Sequence, residues 1–329
     1  LKPVGIIANP ASGKDIRRLV AFGSVFDNNE KVNIVRRVIL GLDAMGVEEV
    51  FIMPDYFGIG NKALEHLELS LKAFFVQMKM DGSQEDSSRA AEILNRAGVA
   101  CMITLGGDGT NRAVAKACED TPLLPISTGT NNVFPFMVEG TLAGIAAGAI
   151  ACNASALERM SRRVPRLEIL DGSELLDIAL VDVVVSKGGF IASRALWDVS
   201  TIQEIFLSRA EPGNIGFSSV GGNLCATGYE SGKGVHIIVG PGKHKVMAPI
   251  APGLIRSVSV ESYRVFEPGQ QIPITRTPAL IALDGERERI AKKGEMLSIG
   301  INPNGPRVVD ISQTLKEASQ MALFIEEES

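Results

Sequence analysis

Asp108 stands among three glycines in the run Leu105-Gly106-Gly107-Asp108-Gly109-Thr110. Such a turn lets main-chain N–H groups and a helix N-terminus face an anion, and the glycines allow close approach. A carboxylate at the same place repels a phosphate unless it holds a metal ion or takes a proton from an attacking hydroxyl. An anion-binding loop with one acid therefore predicts phosphoryl transfer. In that chemistry Asp108 orients or deprotonates the acceptor, or binds the metal. Three further stretches carry suitable groups. Asn9-Pro10-Ala11-Ser12-Gly13-Lys14 approaches a Walker A loop, but Ala8 stands at the first glycine position and Asp15 replaces the magnesium-holding Ser/Thr, which excludes a P-loop enzyme. Thr128-Gly129-Thr130-Asn131-Asn132 offers hydroxyls and two carboxamides that can read adenine edges or ribose hydroxyls without adding charge. Asp284-Gly285-Glu286 supplies a second acid and a candidate magnesium ligand, Glu286, although Asp-Gly is also a favoured hairpin dipeptide.

These stretches need elements that bring them together. Ala100 to Leu105 reads as a buried strand and Asn111 to Cys118 as the helix after the turn. Val4–Ala8, Val50–Met53, Ala73–Val76 and Leu123–Ser127 read as further strands. Lys31–Met45, Asn61–Leu71 and a segment capped by Asp86 or Ser87 and running to Ala97 read as helices, and Thr141–Cys152 as a buried one. The alternation predicts a doubly wound, mostly parallel α/β domain over residues 1–160. Ligands of such sheets sit beyond the carboxyl ends of the strands. The loops Asn9–Lys14, Pro54–Gly60, Gly106–Gly109 and Thr128–Asn132 all fall there. Past Arg162, strand-like runs replace the alternation: Ile178–Val185, Val235–Val239, Ile255–Val260, Ala279–Leu283 and Met296–Ile299. They predict a β-rich, sandwich-like domain over 161–309 that binds the acceptor. A helix at roughly Ala195–Arg209 interrupts it, and Glu211–Gly222 reads as a mobile polar loop. A Ser-capped C-terminal helix, Ser312–Phe324, is expected to pack back, returning 310–329 to the first domain.

Composition bounds the function. With 329 residues, 45% hydrophobic and 22% charged, the chain has core material for two domains. A net charge of −5 and a pI near 5.5, with no long basic cluster, exclude a nucleic-acid partner. No apolar run is long enough to predict a membrane span, and Pro3–Ala8 reads as a strand, so no signal peptide is expected. Cys101, Cys118, Cys152 and Cys225 form no CxxC pair and read as reduced thiols of a cytoplasmic protein. His66, His236 and His244 have no metal-ligand spacing, which argues against a zinc site or a His-based triad.

The loop Gly106-Gly107-Asp108-Gly109-Thr110 resembles the signature shared by NAD kinases and by diacylglycerol and sphingosine kinases. Asn9-Pro10-Ala11-Ser12-Gly13 resembles the loop that lies over the nucleotide triphosphate in that superfamily. Thr128-Gly129-Thr130-Asn131-Asn132-Val133-Phe134-Pro135 is similar to its Gly-Thr-x-Asn loop, with Phe134-Pro135 on the NAD-kinase side. Asp284-Gly285-Glu286 resembles the Asp-Gly-Glu of the lipid kinases. Taken over most of the chain, the order of loops is similar to the ATP–NAD kinase family, and within it to the branch named for acetoin-catabolism protein X. Ala179-Leu180-Val181-Asp182-Val183-Val184 parallels a strand that opens the family's β domain. The likeness fails where NAD kinases carry Thr-Pro-Thr-Gly-Ser-Thr-Ala-Tyr. This chain has Gly213-Asn214-Ile215-Gly216-Phe217-Ser218-Ser219 there, and only Gly221-Gly222 echoes the family's ending.

The resemblance implies an ATP- and magnesium-dependent kinase with NAD as a candidate acceptor. Asp108 and Asp284 are its catalytic candidates. Asn9, Ser12, Gly106, Gly107, Gly109, Thr110, Gly129, Thr130, Asn131 and Asn132 are its nucleotide-binding candidates. Two other readings remain: a lipid or small-polyol kinase with a long apolar channel, and a nucleotide-binding regulator without catalysis. Open sheet edges in the β half predict a homodimer or homotetramer. Gly58-Ile59-Gly60-Asn61-Lys62-Ala63, with Asp81 further on, mimics a dinucleotide fingerprint, but Pro54-Asp55-Tyr56 intervenes where a tight turn is required.

Overall fold

The computed structural model describes residues 1–13, 22–23, 26–187 and 199–325, and the backbone alone at 287 and 288. β1 (Val4–Ala8), α1 (Asn28–Ala44), β2 (Glu49–Ile52), α2 (Ile59–Leu64), β3 (Lys72–Phe75), α3 (Glu85–Arg96), β4 (Met102–Gly106), α4 (Asp108–Ala115) and β5 (Leu123–Ser127) alternate as expected. Then come α5 (Gly140–Cys152), α6 (Leu157–Met160), β6 (Ser161–Arg163), β7 (Arg166–Asp171), β8 (Glu174–Ala179), β9 (Asp182–Ser186), β10 (Ile202–Leu207) and α7 (Phe217–Leu224). The chain closes with β11 (Gly234–Ala251), β12 (Leu254–Phe266), β13 (Gln271–Pro273), β14 (Ala279–Leu283), β15 (Glu286–Ala291), β16 (Leu297–Asn302), β17 (Arg307–Val309) and α8 (Ile311–Gln320).

The first sheet has the order β3-β2-β1-β4-β5-β17-β6 and is parallel except where β17 meets β6. Its central strands are apolar on both sides because both sides are covered. Ile6, Ile103, Leu105 and Ile126 face α1 and α5, while Ile7, Met102 and Leu123 face α3 and α4. The two helices on the first face lie almost backbone to backbone. A Cβ on Gly144 of α5 would stand 2.2 Å from the Val38 carbonyl oxygen of α1. Among the described residues no single helix is long and apolar enough to cross a membrane; α5 is instead largely buried against α1.

Beyond the first sheet, a six-stranded antiparallel sheet, β12-β11-β10-β9-β14-β15, faces a four-stranded one, β13-β16-β7-β8. Leu167, Ile169 and Ile299 of the smaller sheet share a core with Val183, Val185 and Ile281 of the larger, the packing of a sandwich. α7 covers the outer face with Phe217 and Val220 against Ile205, Leu207 and Ile237. α8 returns to α5 and α6, and the Thr314 hydroxyl donates to the Met160 carbonyl at 3.0 Å.

Local competition moved several boundaries. The helix expected to Leu71 stops at Leu64, and His66 takes a left-handed φ of 61°. α4 starts at Asp108 itself, earlier than Asn111. Asp86 does not cap α3: its carboxylate turns back to the N–H groups of Asp81 and Gly82 at 3.1 and 2.8 Å. The α8 cap is Asp310, accepting from the Gln313 N–H at 3.0 Å, not Ser312. The run Ile178–Val185 breaks at Leu180-Val181 into β8 and β9. The expected helix Ala195–Arg209 is overturned from Val199 onward: a 3-10 turn at Val199–Thr201 leads into β10, and 195–198 lie outside the described residues. Buried between β9 and β11, β10 is apolar on both faces and hides the alternation of a half-exposed strand. The expected mobile loop Glu211–Gly222 ends in α7, whose Gly222 lies so close to Glu211 that a Cβ would meet its carbonyl carbon at 2.2 Å.

Candidate functional site

Loops at the carboxyl ends of β1, β4 and β5 meet the turn after β14 around one cavity of about 390 Å³. Asn9, Ser12, Gly107, Asp108, Thr110, Asn131, Asn132, Asp284 and Glu286 line it. Gly106, Gly109, Gly129 and Thr130 stand outside that lining. Lys14, the end of the first loop, lies outside the described residues. Val184, Ile215, Phe217, Ile250 and Pro252 add apolar side chains to the lining. The region where the sequence departs from NAD kinases thus borders the cavity at the start of α7.

The glycines of the signature turn have a use within the chain. A Cβ at Gly106 would meet Thr110 at 2.4 Å, one at Gly107 the Asn132 amide oxygen at 2.7 Å, and one at Gly109 the Glu286 carboxylate at 2.3 Å. Thr110 of the same turn, Asn132 from the loop after β5 and Glu286 at the start of β15 therefore pack on this bare backbone. Asn9 donates from its carboxamide to the Thr110 hydroxyl at 3.0 Å. Ser12 donates to the Asn9 carbonyl at 2.8 Å and lies 3.0 Å from the Thr128 hydroxyl. Asn132 donates to the Ser127 hydroxyl at 2.8 Å and to the Gly129 carbonyl at 3.3 Å.

The two candidate catalytic carboxylates are held alike. Asp108 accepts from the Val133 N–H at 3.0 and 3.1 Å and from the Phe134 N–H at 2.7 Å. Burial, reinforced by the nearby Asp284 carboxylate, pushes its pKa up to about 7 against the lowering effect of those amides. Asp284, at a left-handed φ of 49°, accepts from the Leu180, Val181 and Asp182 N–H groups at 2.8 to 3.1 Å. Burial raises its pKa to about 6, with Arg112 and the amides opposing. A carboxyl that titrates near neutrality beside a cavity can hold or release a proton at working pH.

Arg112, buried in α4, joins this loop to the β half. Its guanidinium reaches Asp177 at 3.4 Å, Glu286 at 3.6 Å and Asp284 at 3.9 Å. Glu286 is thereby turned toward Arg112 and the backbone of Gly109. Among the described residues no group of three His, Cys, Asp or Glu side chains gathers to hold a metal ion. With Asp108 and Asp284 engaged by amides, this donor set does not fit a protein-held magnesium ion, and Glu286 is placed as an ion-pair partner.

Several residues at the site carry no motif. Lys31 of α1 is buried under the first loop and donates from its amine to the carbonyls of Asn9, Pro10 and Ser12 at 2.8, 3.3 and 2.5 Å. Its one signal in the sequence is a lysine on the apolar face of a helix. Gln84 lines the cavity and donates to the Gly109 carbonyl at 2.6 Å. The Asp55 carboxylate accepts from the Phe57 and Ile59 N–H groups, so the dinucleotide-like Gly58–Ala63 turn has its own acid at the helix start. A second cavity, about 200 Å³, lies between Ile169, Leu176, Asp177, Ile281, Leu283 and Arg289.

Comparisons with known proteins match two successive stretches of the chain. The ATP-NAD kinase N-terminal domain family matches residues 4–151, and the acetoin catabolism protein X C-terminal domain family matches 165–304. A crystal structure of an NAD kinase from Archaeoglobus fulgidus in complex with ATP is similar at a TM-score of 0.39 and 12% identity, over 85% of this chain and 100% of that one, a likeness too distant to bear on this chain's ligand. Acetoin catabolism protein X of Cupriavidus necator is 36% identical over 335 aligned positions, covering 98% of this chain and 93% of that protein. The chain belongs to the acetoin catabolism protein X family and is related through its first half to NAD kinases.

Proposed function

We propose that the cavity binds ATP and transfers its terminal phosphoryl group to a hydroxyl of NAD, a related nucleotide or a small hydroxylated metabolite. The observation that carries this reading is convergence: four loops distant in sequence meet at one cavity, with a buried carboxyl of pKa about 7 on its wall. The N-terminus of α4 and the loop holding Asn9 and Ser12 are suited to the phosphates, and Asn131 and Asn132 to the ribose or base. The acceptor oxygen forms a bond to the terminal phosphorus as the bridging P–O bond to ADP breaks, and Asp108 takes the hydroxyl proton. Alignment and charge placement dominate such a step. The acceptor then lies toward Ile215, Phe217 and Ile250, apolar residues that line the same cavity as the acids.

A second reading, nucleotide binding without transfer, is favoured by one observation: main-chain amides already occupy the oxygens of both Asp108 and Asp284. Incubation with labelled ATP and magnesium against NAD, NADH and a panel of hydroxylated metabolites separates the two. A labelled acceptor formed by the natural chain and lost in a folded Asp108→Asn variant supports transfer. ATP binding with no product from any acceptor rejects it in favour of the second reading.

A further inference from the structure

Arg209 follows β10 and takes no part in the chemistry above. Its side chain is buried, and two of its nitrogens, Nε and Nη2, make no hydrogen bond to the described residues. Two aromatic rings hold it. The guanidinium carbon lies 5.2 Å from the centre of the Phe134 ring and 5.5 Å from that of Tyr229. Arg162 of β6 covers Tyr229 as well, at 4.3 Å. Cations and rings therefore alternate in a column: Arg162, Tyr229, Arg209, Phe134. It runs from the edge strand of the first sheet, past the end of β10, to the loop after β5. A guanidinium over an aromatic face is attracted to it, more strongly away from water. Burial pulls the pKa of Arg209 down while the nearby acids Asp108, Glu211 and Asp284 oppose that.

The column ends at a particular bond. The Phe134 N–H makes the shortest contact to the Asp108 carboxylate, 2.7 Å against 3.0 and 3.1 Å from Val133. We propose that Arg209 is a positioning residue: packed between Phe134 and Tyr229, it presses the backbone of Val133 and Phe134 onto Asp108 and fixes where that carboxylate points in the cavity. The kinetic part of its test rests on the phosphoryl-transfer reading; the structural part does not.

Amide hydrogen exchange, followed by NMR, tests the structural part in Arg209→Met, Arg209→Lys and Tyr229→Leu. In Arg209→Met, exchange at Val133 and Phe134 is expected to rise on the order of tenfold while Ile6 and Leu105 keep their protection. Tyr229→Leu, which leaves the buried cation in place, is expected to give a smaller rise at the same two amides, and decides the matter if Arg209→Met does not fold. Unchanged exchange at Val133 and Phe134, or an equal rise across all core amides, overturns the proposal. In the transfer assay kcat is expected to fall on the order of tenfold with KM for ATP held within about twofold, and Arg209→Lys to recover part of the loss. A fall in kcat that Arg209→Lys does not relieve, or a loss confined to KM, overturns it. A natural chain that makes no product rejects the transfer reading alone, and the exchange measurement still stands or fails by itself.

Discussion

The carboxamide of Asn9 donates to the hydroxyl of Thr110 at 3.0 Å, tying the loop after β1 to the first turn of α4. Two neighbouring parallel strands thereby fix the distance between the two loops proposed to meet the phosphates. Asn9→Ala should cost about 1 kcal/mol of stability and weaken ATP binding several-fold. Calorimetric titration beside denaturant unfolding measures both. Full-strength binding in a folded Asn9→Ala protein would remove this loop from the site.

Lys31 holds that loop from beneath. Lys31→Met keeps the length of the side chain but removes the amine that three carbonyls share, although the Asn9 carbonyl still accepts from the Ser12 hydroxyl. The expected cost is about 3 kcal/mol, with binding lost before the fold is. Thermal unfolding and ATP titration on the same sample would show whether the two losses separate as stated.

Glu286 lies against Gly109, where a phosphate approaching α4 must also go. Glu286→Gln removes a negative charge from the positive end of the helix. Binding of ATP without metal should therefore tighten several-fold, and the gain should shrink as salt is raised. A magnesium ligand at this position predicts the opposite: weaker binding in Glu286→Gln, and only when magnesium is present.

Asp108 and Asp284, with pKa values of about 7 and about 6, keep protons in the folded chain that carboxyls near the ordinary 3.8 have released in the unfolded one. The folded state binds more protons over that interval, so their contribution to stability declines as pH rises from about 4 to about 7. In Asp108→Asn only the Asp284 part remains, and the decline should end near pH 6. Unfolding midpoints across this range give the comparison; identical curves for the two proteins would contradict a buried, protonated Asp108. In the natural chain turnover should rise with pH through about 7 as the acid ionises to serve as a base.

Gly144→Ala probes the scaffold alone. The added Cβ meets backbone, the Val38 carbonyl at 2.2 Å, and no rotamer change relieves it. A loss of about 3 kcal/mol is expected, with α1 and α5 forced apart. A midpoint unchanged in chemical denaturation would mean that the helices separate freely.

The strand–helix alternation of the first half was legible because each strand is short, apolar and followed by a turn. Of the loops quoted from the sequence, those holding Asn9, Asp108 and Asn132 meet Asp284 at one cavity, whereas Pro54–Gly60, expected at the same edge, does not line it. The geometry around them was not legible. Nothing in the Gly106–Thr110 run reveals that Asn132 and Glu286 pack on its bare backbone, because those neighbours come from folding and not from spacing. Lys31 and Arg209 escaped notice for the opposite reason. A lone cation in an apolar segment carries no pattern, and its role shows only when the carbonyls or rings around it are known. β10 was misread because burial on both faces erased its period.

β6 and β17 are antiparallel neighbours in the first sheet, with Arg163 opposite Arg307. Everything threaded between them, both antiparallel sheets and Ile215, Phe217 and Ile250 of the cavity lining included, is in topological terms the loop of one hairpin. Such an insert can be exchanged, enlarged or rebuilt without rethreading a single strand of the sheet that carries Asn9 and Asp108. A lineage can in this way keep the edge proposed to face phosphate while trying new partners for it across the cleft.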